Sequence, residues 1–577
     1  MSRSAAWSAI ADAAYPLKVE LDGSSITISE STIPTVQATL VITAPSEAAT
    51  LAHLKVDDTG FAGAAVLHRV ALTGTVQGKT RTFDLLLTAA TDPDLTGRMT
   101  LTLASDDALP GLVSVRDYLD AGDATTGLAG HGPQLRSIIN WALSNMPGTP
   151  ALAAGTADAN MTPRYELENL CVDPQAANVG SWVAPGITFA SVTGTDHTGA
   201  SGKWVTAKNS SGSAGDLTAS VPLTTKGTPT TTHTLASAPR GSNIYASDPY
   251  GIPYVWFSVW VRTPAARTVS LLIQYRDVNG VAVTGSWQAF SVAANTWTHL
   301  SVLTSQWDRA TNTGGIADFF NAFVKVTGAA ANEVLNIDEI SVYAVDEFEW
   351  LETNPPFIAG DKAQDANYTY QWTGTVGAST SRRIPLDPLD PQSLIQQRGE
   401  TWKDFLEPLT DAAALRLICD ETRTWKLVDP ATYTSGPTLA LTGILSPGPQ
   451  RTVDQTDAGS FARGAIARYK WTDKAGRTFI ETESQPPGLE PRTVFPIAVV
   501  DYDRPYPGSG AAAFLLSRIQ QLGTPVEVTA TTDLAANAYL PVTIPGYQAG
   551  AVINAVVFDL GQDEMRLTIR NAHRSAA

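Results

Sequence analysis

The segment Tyr254-Val-Trp-Phe-Ser-Val-Trp-Val-Arg alternates with period two. In an extended strand this puts Tyr254, Trp256, Ser258 and Trp260 on one face and Val255, Phe257, Val259 and Val261 on the other. A sandwich strand has one core face, and the β-branched set is its natural lining. Three large aromatics are then left facing a groove or another surface. Flat aromatic rings stack on the C–H faces of pyranoses while neighbouring side chains bond the hydroxyls, so the pattern points to glycan contact. The alternative is that a loop or a neighbouring domain covers these rings. Trp182, Trp204 and Trp287, in Gly/Ser-rich surroundings, are further candidates, whereas Trp297 inside Thr-Trp-Thr-His-Leu reads as core.

Other chemistry finds little footing. The seven histidines are scattered, with no His-Glu-x-x-His, no His-x-His and no pairing with cysteine, so a zinc site lacks ligands. There is no Gly-x-Ser-x-Gly elbow and no phosphate-cradling Gly-x-x-x-x-Gly-Lys-Ser/Thr. A glycosidase needs only two carboxylates, and among 56 acidic residues candidates always exist. Their presence decides nothing, and no catalytic residue is assigned.

Charge narrows the partners. The 39 basic and 56 acidic residues give a formal charge of −17, without the clustered Lys and Arg that phosphate binding needs. Specific nucleic-acid binding is not expected, although such a surface suits a wall past which DNA slides. Cys171 and Cys419 are far apart and read as reduced, buried thiols. No secretion signal and no membrane span are read, since no window approaches the roughly 18 uninterrupted apolar residues that a span requires. The protein is expected to be made in a cytoplasm and to leave it by lysis.

The positioning elements follow from periodicity. Residues 1–110 read as a β-barrel: in Arg98 to Ala104, Met99, Leu101 and Leu103 alternate with Thr100 and Thr102. Residues 111–165 turn helical, with Leu135, Ile138, Ile139, Ala142 and Leu143 on one face. Residues 166–346 hold seven of the fourteen tryptophans and alternate strands with Gly/Asn/Ser turns, the pattern of a jelly-roll sandwich. A connector spans 347–384. Helix returns within 385–432, where apolar positions 402, 405, 406, 409, 413 and 417 form a stripe, and a hairpin follows. Residues 433–577 are strands interrupted by one helix, Ala511 to Leu522. The helical pieces 111–165 and 385–432 read as halves of one small α/β domain split by the sandwich, because insertions are best tolerated where entry and exit lie close.

Two stretches carry a resemblance. Asn169-Leu-Cys-Val-Asp-Pro, the Tyr254 strand, Trp297-Thr-His-Leu-Ser-Val and Leu335-Asn-Ile-Asp-Glu-Ile-Ser-Val-Tyr resemble the carbohydrate-binding jelly rolls of glycan-degrading enzymes, with Asp173 in place of the usual Asn. Tyr368-Thr-Tyr-Gln-Trp-Thr-Gly-Thr-Val-Gly-Ala-Ser-Thr-Ser, with Tyr370, Trp372, Gly374, Ser379 and Ser381 as its marks, resembles minor tail proteins of phages infecting actinobacteria. Residues 1–165 and 385–577 are similar to a tail-hub protein, the ring closing the distal end of a phage tail tube.

These resemblances imply a mainly β, multidomain fold with two tail-tube-like barrels, a split α/β domain and an inserted jelly roll. They imply a non-enzymatic virion protein of the tail tip or baseplate hub, a homotrimer joined to tail-tube and other tail-tip proteins, with host cell-wall glycans as its ligand. No cofactor is implied beyond a structural calcium at Asp338, the acidic position of the closing strand. The rivals are a carbohydrate-active enzyme with a binding module and a purely structural tail component.

Overall fold

The computed structural model describes residues 5–11, 15–43, 54, 68–91, 93–113, 133–176, 179–182, 184–223, 254–276, 282–305, 319–345, 356–396, 399–441, 443–447, 458, 461–472, 478–488, 496–522, 525–547 and 549–571. The fold is mainly β and multidomain. It divides into two units: residues 1–162, 392–471 and 479–577 form the first, and residues 163–391 with 472–478 the second.

In the first unit, six early strands close on themselves. They are β1 (Ala5–Ala11), β2 (Tyr15–Ser29), β3 (Val36–Thr43), β4 (Arg69–Val76), β5 (Lys79–Ala90) and β6 (Arg98–Ala104). Their order is β1-β4-β5-β6-β3-β2, and pairing of β1 with β2 completes the barrel. Alternation explains the lining: Val70, Leu72, Met99, Leu101 and Leu103 are buried while the Thr residues between them are not. Gly74 is required by packing, because a Cβ there would lie 2.4 Å from the Trp7 ring.

The late strands continue the same sheet. Residues Ser25–Ser29 of β2 pair antiparallel with Asp559–Ala555 of strand Ala551–Asp559, which pairs in turn with Glu564–Arg570. One core therefore draws on both ends of the chain, with Phe83 of β5 6.5 Å from Phe558.

Helix Leu135–Ser144 buries Leu135, Ile138, Ile139, Ala142 and Leu143, the expected stripe, and also Trp141, which meets Trp402 edge-on at 5.3 Å. The second stripe is shorter than expected. The helix is Trp402–Ala412, and Leu417 belongs instead to strand Arg416–Cys419, which pairs with Trp425–Val428. Thr401 caps this helix, its hydroxyl oxygen accepting from the Asp404 amide at 3.1 Å. Thr401→Ala should cost about 1 kcal/mol; an unchanged urea midpoint would show the cap to be idle.

The second unit is a jelly-roll-like sandwich of two five-stranded sheets. One runs Thr298–Ser305, Tyr254–Arg262, Val334–Val345, Ser201–Asn209, Ile187–Thr195; the other is built on Gly215–Ser220, Phe319–Ala329 and Arg267–Arg276. Val255, Phe257, Val259 and Val261 lie in the core between the sheets, as the alternation requires. Cys171 and Cys419 are free and buried, in different units, and burial pushes both thiols up. Among the described residues no helix is long and apolar enough to cross a membrane.

Candidate functional site

The aromatic face of strand Tyr254–Arg262 points away from the sandwich core, and register fixes what lies across it. Trp256 sits opposite Leu303 and Tyr343, and Trp260 opposite His299 and Asp338. These two ends meet different fates.

The Trp256 end is covered. Trp256 is buried against Leu167, Tyr343, Ile358 and Tyr370, with Tyr165, Leu303 and Tyr368 packed around them. The cover is the connector. Its tail-protein-like string forms a hairpin, Tyr368–Trp372 against Ser381–Pro385, whose second strand pairs with Leu167–Asn169. Each mark of the string has a structural task. Tyr370 donates to Asp365 at 2.7 Å, with the Lys362 ammonium 4.6 Å from its ring. Trp372 packs so closely on Gly360 that a Cβ there would meet it at 2.3–2.5 Å. Ser379 Oγ accepts from the Gly374 amide at 3.0 Å, and Ser381 donates to the Ile358 carbonyl at 2.8 Å. Trp256 is thus corrected from an exposed stacking platform to the centre of a second, small core.

Among the described residues the Trp260 end is covered less, with Trp260 half-buried and His299 exposed. The Trp260 ring stacks on His197 at 4.6 Å and lies 5.1 Å from exposed His299. A bulge between the Ser258–Ser341 and Trp260–Asp338 pairs holds Glu339 at a φ of +37°, and the consecutive carboxylates Asp338 and Glu339 face one imidazole. His197 Nδ1 meets Asp338 at 3.0 Å and Nε2 meets Glu339 at 3.1 Å. Burial, then the charges of Asp338 and Asp196, push the Glu339 carboxyl up against the pull of His197. Burial likewise raises Asp338 despite its bonds to His197, and burial lowers His299.

Beside this cluster the Arg262 guanidinium lies 5.1 Å from the Trp204 ring and 4.8 Å from Trp297, and those two rings meet edge-on at 5.8 Å. The Trp204 indole N–H donates to Asn336 at 3.0 Å. Trp204 is buried, which corrects its reading as a surface ring, and Trp297 is half-buried at the outer face instead of lying in the core. Trp182 is also corrected. It is 4% exposed in the sandwich core and packs 5.5 Å from Phe189.

On the other sheet Trp287 is 38% exposed, with Lys325 Nζ 4.4 Å from its ring centre and Phe323 at 6.4 Å. Of Tyr254 only the backbone is described.

Asp338 is not a strand-end carboxylate in solvent. One oxygen accepts from the Glu339 amide at 2.9 Å and the other faces His197. Among the described residues no group of three His, Cys, Asp or Glu side chains is placed to hold a metal.

Sequence reasoning missed His197, Glu339, Arg262 and His299. The available signal was the turn Asp196-His-Thr, where Asp196 accepts from the Thr198 amide at 2.8 Å and presents His197.

No protein-family model matches the chain, and no curated protein matches it. Solved structures do. The CBM22-1 xylan-binding domain of Paenibacillus barcinonensis Xyn10C is similar at 13% identity and TM-score 0.20, over 32% of this chain and 98% of that one. The family 11 carbohydrate-binding module of Clostridium thermocellum is similar at 11% identity and TM-score 0.19, over 31% and 95%. The enzymatically active domain of tailspike protein 4 of bacteriophage CBA120 is similar at 11% identity and TM-score 0.20, over 31% of this chain but 21% of its own length.

Proposed function

We propose that this chain is a structural protein of a phage tail tip whose inserted sandwich contacts glycans of the host surface. The observation that carries the scaffold part is the pairing of residues 25–29 with 555–559, which builds one body from segments that precede and follow the sandwich in sequence. The tail-protein-like string at 368–381 supports the setting. In this reading the body joins copies of itself, as a trimer, to the tail tube, and the acidic balance keeps passing DNA from adhering.

The contact part rests on the less covered end of the outer sheet face and on Trp287. Arg262 and His299 offer donors beside the half-buried rings of Trp260 and Trp297, while Trp287 offers an accessible ring. Single contacts of this kind are weak, and several copies on one ring would bind durably through effective concentration.

The full chain should bind actinobacterial cell walls, and Trp287→Ala or Arg262→Ala should weaken that binding about tenfold, the loss of roughly 1.4 kcal/mol. Gold labels on the sandwich should mark the distal end of phage tails. Absence of wall binding at high protein concentration would remove the glycan role; a label on the head or along the shaft would remove the tail-tip role. Release of reducing sugar from the walls would favour an enzyme instead.

A further inference from the structure

The first unit contains a cavity of about 410 Å³, whose lining includes Leu406, Phe514, Leu515 and Ile519 together with Arg416 and Arg518. Its size falls in the range of small-ligand sites, about 300–1,000 Å³. The two guanidiniums are neighbours, because both donate to the same backbone carbonyl, that of Glu30, and Arg416 also donates to the Thr32 carbonyl at 2.7 Å. Their hydrogen bonds thus go to neutral acceptors. The buried carboxylate of Glu30 stands 2.9 Å from Arg570 and 4.0 Å from Arg518, so one acid is shared by two guanidiniums. Arg416 and Arg518 are half-buried, and cations drawn out of water in proteins are normally matched by anions.

The other acids at the cavity do not supply the match. Asp107 accepts from Ser105 and from both Thr35 donors. Glu407 lies 4.0 Å from Lys403. Asp411 accepts from the Tyr502 hydroxyl at 2.5 Å; burial pushes its carboxyl up to about 7 although the charges of Arg416 and Arg518 draw it down, so it faces both cations and yet is only partly ionised near neutrality. Among the described residues no carboxylate forms an ion pair with Arg416, and only Glu30, at 4.0 Å, approaches Arg518, while the cavity lining beside them is largely apolar.

We propose that this cavity binds a carboxylate carried on an apolar chain, with the acid group at Arg416 and Arg518 and the chain along Leu406, Phe514, Leu515 and Ile519. Planar guanidiniums take carboxylates by paired, charge-assisted bonds. The same chemistry is offered by a free aliphatic acid and by the apolar C-terminus of another polypeptide.

The test titrates the full chain by calorimetry with octanoate, octanamide, octylamine, and the peptide acetyl-Ala-Leu-Leu as free acid and as amide. Octanoate or the peptide acid should bind at least tenfold more tightly than its amide. Arg518→Gln should lose that difference. Leu515→Trp, which fills the apolar side and leaves both guanidiniums in place, should abolish binding even if Arg518→Gln folds poorly. A peptide acid tenfold tighter than octanoate assigns the site to a chain end, and the reverse order assigns it to a free acid. Amides or octylamine binding as well as the acids, no binding by either acid at millimolar concentration, or binding that survives Leu515→Trp overturns the proposal.

Discussion

Phe558→Ala should destabilise the first unit by about 3–5 kcal/mol, the usual cost of emptying a fully buried phenylalanine site. The side chain has no exposed surface and lies in the core shared by β2, β5 and the late strands. The sandwich has its own core, with no residue in common. Scanning calorimetry should therefore show one transition moving down while another stays in place. Equal displacement of both would mean that the two cores unfold as one, against the division described here.

Asp411→Asn should change how stability depends on pH. An unfolded aspartate releases its proton near pH 3.8, whereas the folded carboxyl keeps it until about pH 7, chiefly because it is buried. Between those values the folded state binds more protons than the unfolded one, so this group's contribution falls as pH rises. A gap of about three pKa units corresponds to on the order of 3–4 kcal/mol. Asparagine can still accept from Tyr502 and cannot ionise, so the variant should gain on the wild type by that order between pH 4 and pH 7.5. Parallel denaturation curves at both pH values would show that Asp411 ionises freely in the folded protein.

Local pattern was legible wherever the neighbours that decide burial lie close in sequence. The stripe at 135–143 and the alternation at 99–103 and 255–261 name buried residues correctly, because helix and strand periods need no distant partner to be read. Coverage was not legible. Trp256 and Trp260 are equivalent in the strand, but residues 356–385 cover only the first, and they come about a hundred positions later. The string at 368–381 was recognisable as a string, while its work as a lid for Trp256 depends on register with Leu167–Asn169. His197 was missed for a similar reason: it reaches Asp338 and Glu339 from 141 and 142 positions away, and the bulge beside which both carboxylates face it leaves no mark in an alternating run. Apolar residues past the end of a helix also mislead, as Leu417 does by continuing the stripe from the adjoining strand.

The strand on which the sandwich begins, Leu167–Asn169, is hydrogen-bonded to the one near its end, Ser381–Pro385, and Arg164 bridges to Leu389 beyond them. Both splice points thus belong to one short zipper carried by the insert itself. Replacing everything between those stubs would leave that closure in place. The sandwich is thus built as a cassette that closes its own entrance.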